Sequence, residues 1–166
     1  MTTIESTREL FVHKLGAALK MEKTIHDLLP QLEGEANDGE LKRNLAQHRR
    51  ETKQQVRNLE RVFEALGEDP KEQPCPTIEG LEKEREQNLK HVADDLNDAV
   101  VLSGVIETEA HEIAVYDGLI TQAEAMDEQD IVALLQENLE QEQATLQKAR
   151  QARKKLAQAQ AHAAAR

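Results

Sequence analysis

Five glutamates and one histidine stand on or beside helical stripes that are otherwise apolar. Glu22 falls among Leu15, Ala18, Ile25 and Leu29, and Glu109 among Leu102, Val105, Ile113 and Tyr116. Glu112 follows Glu109 by one turn, and Glu142 falls among Leu135, Leu139, Leu146 and Ala149. His48 shares the stripe of Leu41, Leu45 and Leu59, and Glu51, three residues on, lies on its shoulder. Carboxylates gathered in a dry layer are costly unless something neutralises them. Two divalent cations would offset about four such charges. Oxygen-rich ligands with an occasional imidazole suit iron or manganese, and less often zinc. The chemistry these residues point to is therefore a dinuclear iron or manganese site, with zinc as a lesser option. Its ligands would come from Glu22, His48, Glu51, Glu109, Glu112 and Glu142. The plainer reading makes each glutamate a flank position facing water, in a chain that is 32% charged. Four of them at one level favour the site.

Placing them at one level requires long helices, and the sequence supplies these. Glu, Gln, Ala, Leu and Lys dominate the 166 residues, with seven Gly and four Pro to break them. Ser6-Thr7-Arg8-Glu9 reads as a capping box. From it an apolar stripe runs through Phe11, Leu15, Ala18, Met21, Ile25, Leu29 and Leu32, with Pro30 expected to kink or loosen that helix. Asn37-Asp38-Gly39 predicts a turn, with Asp38 as cap of a second helix running to Leu66 and ended by Gly67. Three prolines keep residues 68–77 out of a helix. A shorter helix is expected over 78–90, a third long one over 94–125, and a fourth beginning at an Asp127 cap. The Ala-rich end, residues 157–166, reads as an extension. The whole chain, 1–166, is one all-α domain. Two tight hairpins joined by a crossover over 67–93 give the short–long–short connectivity of a ferritin-like four-helix bundle. A faint repeat relates Glu22–His26 to Glu112–Tyr116, each ahead of a hairpin turn.

Glu22 and Glu51 lie about 15 and 14 residues from the first turn, and Glu109 and Glu142 about 17 and 16 from the second. At about 1.5 Å per residue, all four stand roughly 22–26 Å from their turns. In helices of about 30 residues that is mid-height, even with the turns at opposite ends.

The net charge of −11 and pI of about 5.0 weigh against nucleic-acid and anionic-membrane partners and leave cations as the natural ones. No apolar run approaches the roughly 18 residues of a membrane span. MTTIESTREL lacks a signal-peptide core. The lone Cys75 permits no internal disulfide and suits a cytoplasmic, reducing setting. A homodimer is expected from pairing of exposed hairpin faces.

The blocks Ala18-Leu-Lys-Met-Glu22-Lys23, His48-Arg-Arg-Glu51-Thr52, Cys75 with Glu79-Gly80-Leu81, Glu109-Ala-His-Glu112-Ile113-Ala114-Val-Tyr116 and Leu139-Glu-Gln-Glu142 resemble the YciE/YciF family over about residues 5–156. These are ferritin-like, stress-associated bacterial proteins similar in fold to rubrerythrin and ferritin. The resemblance implies that Glu22, Glu51, Glu109 and Glu142 take the places of di-iron carboxylates, with Glu109 and Glu112 as a Glu-x-x-Glu pair. It implies iron or peroxide handling; an enzyme of this kind would be a ferroxidase- or peroxidase-like oxidoreductase. The alternative is a metal-free structural or oligomerising bundle. Where ferritin-like sites carry histidine three residues after the glutamates of helices two and four, this chain has Gln54 and Thr145.

Other residues divide between two readings. His26 and His111 are surface histidines or partners of the ligands. Tyr116 packs in the core, or hydrogen-bonds a carboxylate or relays an electron. Cys75, in Pro-Cys-Pro, is an inert loop cysteine or a redox-active one. Arg150 to Lys155 reads as a solvated helix C-terminus.

Overall fold

Ser6 opens the first helix, its Oγ accepting the Glu9 N–H at 3.1 Å. The return arm of the box reaches one residue further than expected: the Glu9 carboxylate accepts from the Glu5 N–H at 2.7 Å. The computed structural model describes residues 3–164, in which helices α1 to α5 and one 3-10 turn are the regular elements, with no strand. Helix α1 covers Thr7–Glu35 and runs on past Pro30. Asp38 caps α2, Gly39–Ala65, by accepting the Leu41 N–H at 2.8 Å. Pro76 lies in the first turn of α3, Pro76–Leu89, where its missing N–H costs nothing. The 3-10 turn Asp94–Leu96 leads into α4, Asn97–Ala125, and α5 covers Gln129–Ala164.

The two long-helix exits share one geometry. Gly67, at φ 70°, ends α2 with Glu68 N–H returned to Phe63 O at 3.0 Å. Asp127, at φ 60°, ends α4 with Glu128 N–H returned to Ala123 O at 3.1 Å. Asp127 thus terminates α4 and does not cap α5, as the sequence had suggested. The first turn of α5 closes on the Glu128 carbonyl, which accepts the Val132 N–H at 3.0 Å. A short polar side chain tolerates the left-handed region well enough to take the position glycine holds in the other hairpin.

Helix α1 packs on α2 and α4 on α5, and the two hairpins meet along α1 with α4 and α2 with α5. Leu15, Leu19, Met21, Leu59, Phe63, Val101, Ile131 and Leu135 form fully buried parts of the core. Helix α3 lies on α4. The chain leading to it is laid across α1 at Gly16, whose carbonyl accepts the Gln73 N–H at 3.0 Å. A Cβ at Gly16 would run into the Lys71 carbonyl and stand 2.8 Å from Gln73 Cγ, so this close approach requires glycine. At the α1–α2 turn, Asp98 of α4 accepts the Asn37 N–H at 2.6 Å and the Asp38 N–H at 3.1 Å. Arg150 to Lys155 are mostly exposed but do not end a helix, because α5 continues to Ala164. The helix dipole, which acts only within the last turn, therefore does not reach that basic run. Residues 165 and 166 of the Ala-rich extension lie outside the described residues. Among the described residues, no helix is long and apolar enough to cross a membrane.

Candidate metal centre

Between the hairpins, the apolar faces of α1, α2, α4 and α5 are interrupted by polar side chains. Glu22, Glu112 and Glu142 are 0% exposed, Glu109 is 1% and His48 is 3%. His48, Glu109, Glu112 and Glu142 each offer a ligand atom, and these four atoms lie within 4.8 Å of one another. Two atoms each about 2.0–2.2 Å from one ion lie at most about 4.4 Å apart. Neighbouring ligands of one ion stand closer than that, so the four side chains would draw inward to meet a single cation.

The acceptors are largely without donors. Both oxygens of Glu112 and of Glu142, Oε2 of Glu22 and of Glu109, and Nδ1 of His48 have no hydrogen-bond donor or partner among the described residues. The carboxyls face one another, Glu109 against Glu142 and Glu112 against Glu22, close enough for a protonated one to donate to its neighbour. Burial, and then the charge of neighbouring carboxylates, raises Glu22, Glu109 and Glu112 well above the ordinary carboxylate range. Burial likewise raises Glu142, to about 7, with the Glu51 charge adding to it and the Glu109 and Gln55 contacts opposing it. His48 is lowered to about 4, by burial and then by the Lys148 charge. Its Nε2 lies 3.2 Å from Glu109 Oε1, a geometry that also suits an ion pair.

The six residues picked from sequence occupy three settings. His48, Glu109, Glu112 and Glu142 form the converging set. Glu22 faces Glu112 from α1 and accepts a hydrogen bond from the Tyr116 hydroxyl. Glu51 is half-buried outside the convergent four, its carboxylate accepting from Gln47 Nε2 at 2.8 Å. It is near enough that its charge raises both Glu109 and Glu142. The converging four thus include His48 and Glu112, which the sequence placed a turn away, and leave out Glu22 and Glu51.

A buried amide network was not read from the sequence. Asn138 Nδ2 donates to the Tyr116 hydroxyl at 3.0 Å and to the Gln55 carbonyl at 3.2 Å, and its Oδ1 accepts Asn58 Nδ2 at 2.8 Å. Gln54 Nε2 extends the chain to Asn58 at 3.1 Å. Asn138, three residues after Leu135 and four before Glu142, carried the signal in its spacing. His26 is partly exposed beside Asp27, and His111 is half-buried. Cys75 is buried at 8% exposure and immediately precedes α3, so it is not an exposed loop thiol.

A surface groove of about 520 Å³ between the start of α2 and the end of α5 includes none of the clustered residues. Two smaller crevices reach the cluster. One of about 30 Å³ lies between α1, α3 and α4, and one of about 40 Å³ between α2 and α5; His48 lines both.

The family described as "Domain of unknown function (DUF892)" matches residues 6–162. Protein YciF of Escherichia coli (strain K12) is 29% identical over 147 residues, covering 87% of both chains. The crystal structure of the E. coli stress protein YciF superposes with a TM-score of 0.88 at 25% identity, over 93% of this chain and 99% of that one. YcfI from Rhodopseudomonas palustris gives a TM-score of 0.87 at 33% identity, over 89% and 94%.

Proposed function

Because the chain belongs to the DUF892 family and is similar to the E. coli stress protein YciF, we propose that it is a ferritin-like four-helix bundle holding a dinuclear iron or manganese centre. We place it in stress-linked iron or peroxide handling, acting as a cytoplasmic homodimer. The observation that carries this reading is the convergence of His48, Glu109, Glu112 and Glu142 within 4.8 Å, with most of their acceptors lacking donors.

This donor set fits a hard divalent cation, three carboxylates and one imidazole supplying oxygen-rich coordination. His48, Glu109, Glu112 and Glu142 would hold the centre, with Glu22 and Glu51 completing it. Bound iron would supply one-electron redox chemistry toward dioxygen or peroxide. The chain's own residues do the rest. Tyr116 and Asn138 fix the Glu22 carboxyl in place. The Gln55 amide lies against Glu142 and favours its ionised form. The apolar walls keep water away, which strengthens every charge contact inside.

A second reading, a metal-free structural bundle, draws support from the same raised carboxyls. Holding protons, they hydrogen-bond one another and remove much of the like-charge repulsion. Metal analysis of the purified protein, with Fe(II) titration followed by absorbance, separates the two. The proposal expects up to two metals per chain and an oxidation signal in air. Well under one metal per chain, with no signal, would leave the structural reading. Light scattering across micromolar concentrations tests the dimer, and a monomer throughout removes that part.

A further inference from the structure

The crevice beneath α3 is lined mainly by aliphatic side chains, including Ile25, Leu29, Ile78, Leu81 and Val105, with Glu82 and Thr108 among them. Its inner end is formed by His48 and Glu109, two members of the convergent set. Its outer end is formed by Arg85 and Gly104. Arg85 is 6% exposed and pairs with Glu35, whose side chain is 22% exposed, so this end faces solvent. Gly104 makes room for Arg85: a Cβ there would stand 3.4 Å from Arg85 Cδ and 3.5 Å from Cγ. One guanidinium nitrogen, Nη2, has no partner, so a buried donor stands at the mouth.

Size and polarity together select what such a space admits. A single water needs about 10–15 Å³ of such volume, so about 30 Å³ holds one or two small molecules. A divalent ion with its hydration shell is too large, and shedding the shell against aliphatic walls is costly. A neutral diatomic molecule loses almost nothing there. A second crevice of similar size lies on the other side of His48, between α2 and α5, and likewise mixes apolar residues with polar ones, Glu51 and Lys148 among them.

We propose that the crevice beneath α3 is a binding and entry site for dioxygen. The inference rests on reading the cluster as a redox-metal centre. It gives the crossover helix a task, since Ile78 and Leu81 of α3 form one wall.

Xenon, a neutral probe of similar size, tests the cavity in the metal-free protein. Under xenon pressure, methyl resonances of Ile25, Leu29, Ile78 and Val105 should shift in the wild type. The shifts should vanish in Leu81→Trp, which fills the space from a half-buried position. Shifts absent from these methyls in the wild type overturn the proposal without reference to any variant. In iron-loaded protein, Leu81→Trp should raise the KM for dioxygen several-fold at unchanged iron uptake per chain. An unchanged KM in a variant that melts like the wild type overturns the route. Failure of the wild type to take up iron would instead sink the proposed function, and xenon alone would then decide the cavity.

Discussion

Asp98, on the first turn of α4, and Glu112, about four turns further along the same helix, are both buried carboxylates, 9% and 0% exposed. Asp98 meets the backbone N–H groups of Asn37 and Asp38, so its charge lost from water is replaced by fixed donors. Glu112 meets Glu22, Glu109 and Glu142, and neither of its oxygens has a donor. The first arrangement is complete without a ligand and ties the second hairpin to the turn of the first. The second is stable only with protons or cations added, which is what a binding site requires and a structural contact avoids.

The strongest way to break the contrast is Glu109→Gln. At free Mn(II) or Fe(II) about 1,000-fold above Kd, binding should add about 4 kcal/mol to the wild type. For a chain of this length that is roughly 8–16 °C in Tm. The variant should lose that rise, while its metal-free form melts above the metal-free wild type because one buried like-charge neighbour is gone. Thermal melts with and without cation check both halves. Equal responses of the two proteins to cation would remove Glu109 from the site.

A change of pH sharpens the contrast by a smaller amount. The raised carboxyls make the folded metal-free protein bind more protons than the unfolded chain above their ordinary pKa of 4.5, so stability falls as pH rises through Glu142's value of about 7. Glu142 alone should cost on the order of 1 kcal/mol between about pH 6.5 and pH 8. Glu22, Glu109 and Glu112, shifted in the same direction, add to that. His48, lowered to about 4, works oppositely but only below its ordinary value of 6.5, so the carboxyls act alone above it. Urea melts of the metal-free protein across this range should show the decline, and saturating cation should cancel it. A flat metal-free profile would mean that these carboxyls ionise freely.

The smallest effect belongs to the self-sufficient region. Asp98→Ala should cost about 1 kcal/mol, the scale of a lost cap, with the same loss whether or not cation is present. Denaturant melts in both conditions measure it. A cation-dependent loss would show that the α1–α2 turn and the mid-level layer are coupled.

The sequence showed most of the fold because its local signals agree. Ser6, Asp38 and Gly67 do at the helix ends what their chemistry prescribes, and the stripes of α1, α2, α4 and α5 keep a regular period. Asp127 misled because an aspartate before a helix resembles an N-cap, and only the backbone angle reveals the left-handed exit. In the site, Glu22, His48, Glu109, Glu112 and Glu142 were legible as polar breaks in apolar stripes. Glu51, placed on a shoulder, is indeed only half-buried. Gln55, Asn58 and Asn138 escaped because buried amides in a Gln-rich chain resemble its surface amides. Arg85 escaped for a different reason. Its burial depends on Gly104, on another helix, and on Glu35, fifty residues earlier, and no local period encodes such a meeting.

Tyr116 is the only tyrosine in a chain without tryptophan, and its hydroxyl is fastened between Glu22 and Asn138. Nearly all of the molecule's ultraviolet emission therefore originates at the edge of the carboxylate layer. A carboxylate accepting the phenol's proton quenches that emission, and one drawn away or neutralised releases it. The protein carries a single intrinsic lamp, set beside the groups whose state is in question, so an unlabelled sample can report its own occupancy.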